Sequence, residues 1–228
     1  MIEYLRDPER IHQQNDALLR ELLVLDAFTE EQQQVVIQMV LAYGDPSLVE
    51  SIRFSERALA VAHKAIKLRN NLLYDVELVN QALSKRLLYQ EPFGFLGKAS
   101  VISQAKSSKQ TRAMTGVDCW KRYMAGGIVL IGQSGTALFR LLEILKDGAP
   151  PPALVIASAR GFVNAEAAKQ MLWKQHEDLG VECIVVEGTR GGGVLAAAAL
   201  NSLLTMQQQK SPPLIRLRGK PRPSGRGG

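Results

Sequence analysis

The sequence predicts an α/β fold, a mainly parallel sheet with helices on both faces. From residue 72 onward, short β-rich runs alternate with helical patterns, and the connections between them are short. With 228 residues and 46% hydrophobic content the chain can fill one large core, so a single α/β domain is the simpler organisation. The domain is expected over residues 1–205, with a basic, Pro/Gly-rich disordered tail over 206–228.

In chain order, Glu9 to Leu25 repeats apolar residues at helical spacing through Ile11, Leu18, Leu19, Leu22 and Leu23. Thr29-Glu30-Glu31-Gln32 is a capping box that opens a second helix, which stops at Gly44. Ser55 is expected to cap a third, amphipathic helix, SERALAVAHKAIKLR. Five strand-and-helix pairs follow: LLYDV with ELVNQALS, SVIS with KQTRAMTGVDCWKRYM, GIVLIG with GTALFRLLEILK, ALVIAS with NAEAAKQMLWKQ, and CIVVEG with GVLAAAALNSLL.

The formal charge of +6 is localised. Lys210, Arg216, Arg218, Lys220, Arg222 and Arg226 carry it without any acid among them, and without them 22 bases face 22 acids. The folded part is therefore neutral, and nucleic acid is not an expected partner except through the tail. No apolar run reaches the length of a membrane span and the first residues are charged, so the expectation is a cytoplasmic protein with neither signal peptide nor membrane helix. Cys119 and Cys183 stand apart, which supports neither a disulfide framework nor a zinc site.

In a parallel sheet the loops after the strands build the ligand crevice. Three of them here are made of small residues and lead into helices: IGQSGTAL (131–138), ASARGFVNAEAAK (157–169) and EGTRGGGV (187–194). A helix start offers free N–H groups and the positive end of its dipole, so three together favour a ligand with several negative groups. Close packing of helix against sheet is the competing explanation for the glycines. Arg160 and Arg190, each just before a glycine, are candidate carboxylate partners, and Asp75 with Glu77 is either a carboxylate pair or a helix cap. The glycine run lacks the Lys-Ser/Thr of a Walker A loop and the register of a dinucleotide fingerprint.

The stretches EYLRDPERI, LAYGD, RFS, YDVELV, KQTRAMTG, IVLIGQSGTALFRLLEILKDGAPPPALVI, RGFVNAEAAK and GGGVLAAAALNSLL occur in an order and spacing that resembles the precorrin-8X methylmutase (precorrin isomerase) family of corrin biosynthesis, over residues 3–204. The resemblance implies a homodimer with its site near the subunit contact, and a tetrapyrrole ligand bearing acetate and propionate groups. It also implies migration of a methyl group from carbon 11 to carbon 12 of the ring, without a cofactor. The family's acid histidine falls on Leu41, its serine on Asn15, its Asn-Ala-Pro-Thr turn on Gln133 to Thr136 and its Gly-Gly-Ser on Gly191 to Gly193, while Arg112 matches an arginine expected to reach the substrate.

Leucine neither gives nor takes a proton. The resemblance thus implies a tetrapyrrole-binding protein, precorrin-8X or hydrogenobyrinate its ligand, with no secure catalytic residue and with activity weak or lost. His12, one turn before Asn15, is the substitute acid on offer. The substrate-binding set is Asn15, Leu41, Tyr43, Arg112, Gly132, Ser134, Gly135, Thr136, Arg160, Gly161, Asn164, Arg190, Gly191, Gly192 and Gly193, with no metal ligand among them. Tyr43, Trp120 and Tyr123 are either stacking surfaces for the macrocycle or core filler. The competing functions are a non-catalytic tetrapyrrole carrier or sensor, and binding of nucleic acid or acidic surfaces through the tail.

Overall fold

The computed structural model describes residues 2–210. Its sheet is formed by Ile52–Phe54 (β1), Leu72–Tyr74 (β2), Ile128–Ile131 (β3), Leu154–Ala157 (β4) and Glu182–Val186 (β5), in the spatial order β1-β5-β4-β3-β2. Strands β2 to β5 are parallel, and β1 runs antiparallel to β5. Successive strand side chains point to opposite faces. Leu72, Ile128, Leu130, Leu154, Ile156 and Ile184 accordingly enter one core, and Leu73, Val129, Ile131, Val155, Cys183 and Val185 the other. Both faces are covered, which is why these strands read as continuous apolar runs.

The first face carries Glu30–Tyr43 (α2), Ala58–Lys67 (α3), Glu77–Ala82 (α4) and Gly193–Lys210 (α9), with Pro8–Leu22 (α1) lying on α2. The second carries Ala99–Ser107 (α5), Arg112–Val117 (α6), Gly135–Lys146 (α7) and Ala165–Gln175 (α8). The Thr29–Gln32 capping box is made on both sides, and Gly44 closes α2 in the left-handed conformation with φ 77°. Helix α1 has no fully buried residue, and its Ile11, Leu18 and Leu22 are exposed. Among the described residues no helix is long and apolar enough to cross a membrane.

Several local expectations are corrected. SVIS is no strand but part of α5: Val101 and Ala105, four residues apart, are its buried residues, and a four-residue apolar run does not separate helix from strand by itself. The stretch 109–124 is not one helix, because α6 gives way at Asp118–Arg122 to a 3-10 turn in which Asp118 binds Arg140. Ser55 does not cap α3, whose N-cap is Arg57 without a side-chain bond. Instead the Ser55 hydroxyl donates to Glu182 at 2.6 Å and accepts the Cys183 N–H at 2.7 Å, tying the entry of α3 to β5. The three-residue β1, centred on Arg53, is a strand beyond those that the periodicity predicts. Helix α9 runs on to Lys210, past the boundary expected at 205, and the basic tail beyond it lies outside the described residues.

After β2 and β5 the chain turns to the first face, and after β3 and β4 to the second. Loops from the neighbours β2 and β3, and from β4 and β5, therefore part to opposite sides at the carboxyl edge of the sheet. Such partings are where crevices open.

Candidate functional site

Asp75, the residue after β2, fills the first parting. Its buried carboxylate accepts the N–H groups of Gly132 at 2.9 Å, Gln133 at 2.9 Å and Ser134 at 2.8 Å. Burial pushes this carboxyl upward, and the backbone N–H groups pull it back toward the charged form. The amides of Gly132 and Ser134, expected from the sequence to meet a ligand anion, are thus held by an internal carboxylate. Asp75 neither pairs with Glu77 nor caps a helix; Glu77 accepts the Tyr74 hydroxyl at 2.9 Å.

The turn that Asp75 holds is extended by hydroxyl groups. Ser134 Oγ accepts the Ala137 N–H at the start of α7 and lies 3.0 Å from Thr136 Oγ1, which lies 2.7 Å from Thr111 Oγ1. Thr111 caps α6. Its neighbour Arg112 is thereby placed beside this loop, exposed and without a hydrogen-bond or ion-pair partner among the described residues.

At the second parting the loops bond to each other. Gly161 N–H donates to the Thr189 carbonyl at 3.0 Å, Gly192 N–H to the Ser158 carbonyl at 2.6 Å, and Ser158 Oγ to the Gly192 carbonyl at 3.0 Å. Gly191 sits at φ 154°, and a Cβ there would stand 2.0 Å from the Ser158 carbonyl oxygen. A Cβ on Gly135 would stand 2.7 Å from the backbone nitrogen of Ala165, and one on Gly132 2.6 Å from the Cα of Gly193. These glycines let backbone approach backbone. Asn164 of the β4–α8 loop sits at φ 67°, and between it and Gly161 the side chains of Phe162 and Val163 are 93% and 80% exposed.

Beneath these loops lies a residue that sequence reasoning missed. Lys169 of α8 is 1% exposed and donates from Nζ to the Arg190 carbonyl at 2.8 Å. Burial pushes its ammonium down to about 8, against the opposing pull of Glu166 and Glu187. A lysine in the polar stretch AEAAKQ gives no sign of burial, and only the fold reveals it. The Arg190 side chain faces the other way, donating to Ser47 Oγ at 2.8 Å and lying 3.8 Å from Asp45. Ser47, through its hydroxyl and its amide, and then Arg190 hold the Asp45 carboxyl below the usual range.

Arg190 thereby joins the β5–α9 loop to the turn after α2, next to the last helical turn in which Leu41 and Tyr43 are 37% and 40% exposed. Arg160 is exposed and has no partner among the described residues. The site residues fall into three groups: Arg112, Gly132 to Thr136, Arg160 to Asn164 and Arg190 to Gly193 at the sheet edge, Leu41 and Tyr43 at the end of α2, and His12 and Asn15 on α1. His12 faces a cavity of about 720 Å3 between α1, α2 and α9. Trp120 is buried core and Tyr123 stacks on Phe93 at 5.0 Å, so neither offers a free surface.

The family profile described as precorrin-8X methylmutase matches residues 10–206. The chain is 33% identical over 210 residues to the precorrin-8X methylmutase of Pseudomonas aeruginosa, covering 91% of this chain and 100% of that protein. To the enzyme of the same name from a Sinorhizobium species it is 34% identical over 203 residues, covering 88% of this chain and 96% of the relative. The solved precorrin-8X methyl mutase of Thermus thermophilus superposes with a TM-score of 0.80 at 29% identity, over 89% of this chain and 97% of that one.

Proposed function

Since the chain belongs to the precorrin-8X methylmutase family, we propose that it binds a carboxylated tetrapyrrole, precorrin-8X or a hydrogenobyrinate-like ring, across the carboxyl edge of the sheet and the end of α2. One observation carries the placement: two guanidinium groups without partners, Arg112 and Arg160, stand on the loops that converge there. Each is suited to a bidentate contact with a carboxylate.

The reaction of such a site is an isomerisation, in which a methyl group leaves carbon 11 of the ring and joins carbon 12. We take Leu41 to occupy the place of the family's proton-transferring histidine. Its side chain holds no proton, so the scaffold binds and orients the ring while turnover is weak or lost. His12 is the group left to act in its stead. A tetrapyrrole carrier or sensor is the same reading with turnover removed entirely. A second copy of the chain is the proposed partner, with the exposed Ile11, Leu18 and Leu22 of α1 supporting a contact there.

The test is a titration with hydrogenobyrinic acid followed in the visible spectrum. A saturable change is expected, weakened by roughly 1–3 kcal/mol in Arg112→Ala. No change with folded protein at near-millimolar ligand removes the ligand class.

A further inference from the structure

The cavity between α1, α2 and α9 lies down the first face of the sheet from the converging loops. Its volume, about 720 Å3, is that of a small-molecule site. Asp16 and Arg20 on its wall neutralise each other across 2.8 Å, and Asn201 is spent on the Ser84 N–H and the Ala82 carbonyl. What remains is one positive charge, Arg86, and four amides, Gln13, Gln34, Gln38 and Gln209, none with a side-chain partner among the described residues. A recess with one unpaired guanidinium and unspent amides fits a carboxylate with a polar surround.

Two facts connect this recess to the ligand. Gln38 and Leu41 are three residues apart on α2 and share a face, so the cavity ends about one turn from Leu41. At the sheet edge the amides of Gly132, Gln133 and Ser134 are consumed by Asp75, and loop 158–161 binds loop 189–192. A ligand with more carboxylates than Arg112 and Arg160 can take needs charge elsewhere, and Arg86 supplies it. We infer that this cavity receives one carboxylate-bearing edge of the tetrapyrrole, with Arg86 as its counter-ion and Gln34 and Gln38 as donors.

The inference rests on tetrapyrrole binding, and the experiment separates the two. Hydrogenobyrinic acid is titrated into the parent protein, Arg86→Gln and Ala17→Trp, the last of which places an indole in the cavity from a helix without buried residues. Thermal melting checks that all three are folded. Affinity is expected to fall about tenfold or more in Arg86→Gln, with a shallower salt dependence, and to fall also in Ala17→Trp. Unchanged affinity in both variants overturns the inference and leaves the binding proposal standing. A parent protein that does not bind overturns both.

Discussion

Lys169 and Arg190 meet through a single hydrogen bond, ammonium to carbonyl, that fastens the first helical turns of α8 to the loop after β5. The ammonium is buried, and burial moves it from the ordinary 10.5 to about 8. Between those two values the unfolded chain keeps the proton and the folded chain has released it, so this residue makes stability rise with pH across that window. Below about 8 the cost of burying the charge is present in full. Relative to Lys169→Met, the parent protein is expected to gain on the order of 3 kcal/mol between pH 8 and pH 10.5. Urea midpoints of both proteins across that range check this, and a constant difference would refute it.

Gly191→Ala is expected to destabilise the fold by about 2–4 kcal/mol, because the new methyl group meets the Ser158 carbonyl oxygen and the φ of 154° is strained for alanine. Gly188→Ala, at φ 72° with nothing within 4 Å, is the control and costs about 1 kcal/mol. Equal losses in denaturant melts would show that the loop yields rather than clashes.

Much of this was legible beforehand, and the exceptions share a cause. The parallel strands and their helices follow from local periodicity, and Thr29 with Gln32 is a local signal that survives folding unchanged. Asp75 and Ser55 were misread because their partners are 57 to 59 and 127 to 128 residues away, and a carboxylate or hydroxyl before a helix looks the same in sequence whether it caps that helix or a distant loop. The three loops could be named in advance as converging. That their N–H groups are turned on each other and on Asp75 depends on strand order and on which face each helix takes.

An assay with precorrin-8X decides how far Leu41 sets the chemistry. Introducing Leu41→His is expected to raise turnover by about 10²–10⁴-fold, the usual worth of a positioned acid. A parent protein already working at about 1 s⁻¹ or faster would show that Leu41 is no obstacle, and His12→Ala would then be the informative variant.

Self-association through α1 is expected to give a sedimenting species of twice the chain mass at micromolar concentration. Replacing the exposed Leu18 and Leu22 together by Asp should yield a folded monomer, since neither side chain belongs to the core. A parent protein that sediments as a monomer refutes the contact.

The two borders of the sheet constrain how such a pair can form. The outer side of β5 is taken by β1, and the outer side of β2 is bonded by the segment at Phe93, whose N–H donates to Leu72 and whose carbonyl accepts from Tyr74. Among the described residues only the far side of β1 remains, three residues long with a charged Arg53 at its middle. Short, charged or covered borders give an incoming strand too few groups to pair with, which guards a chain rich in buried β segments against fibre-like stacking. A pair of copies is therefore expected to form helix to helix rather than by adding strands to a shared sheet.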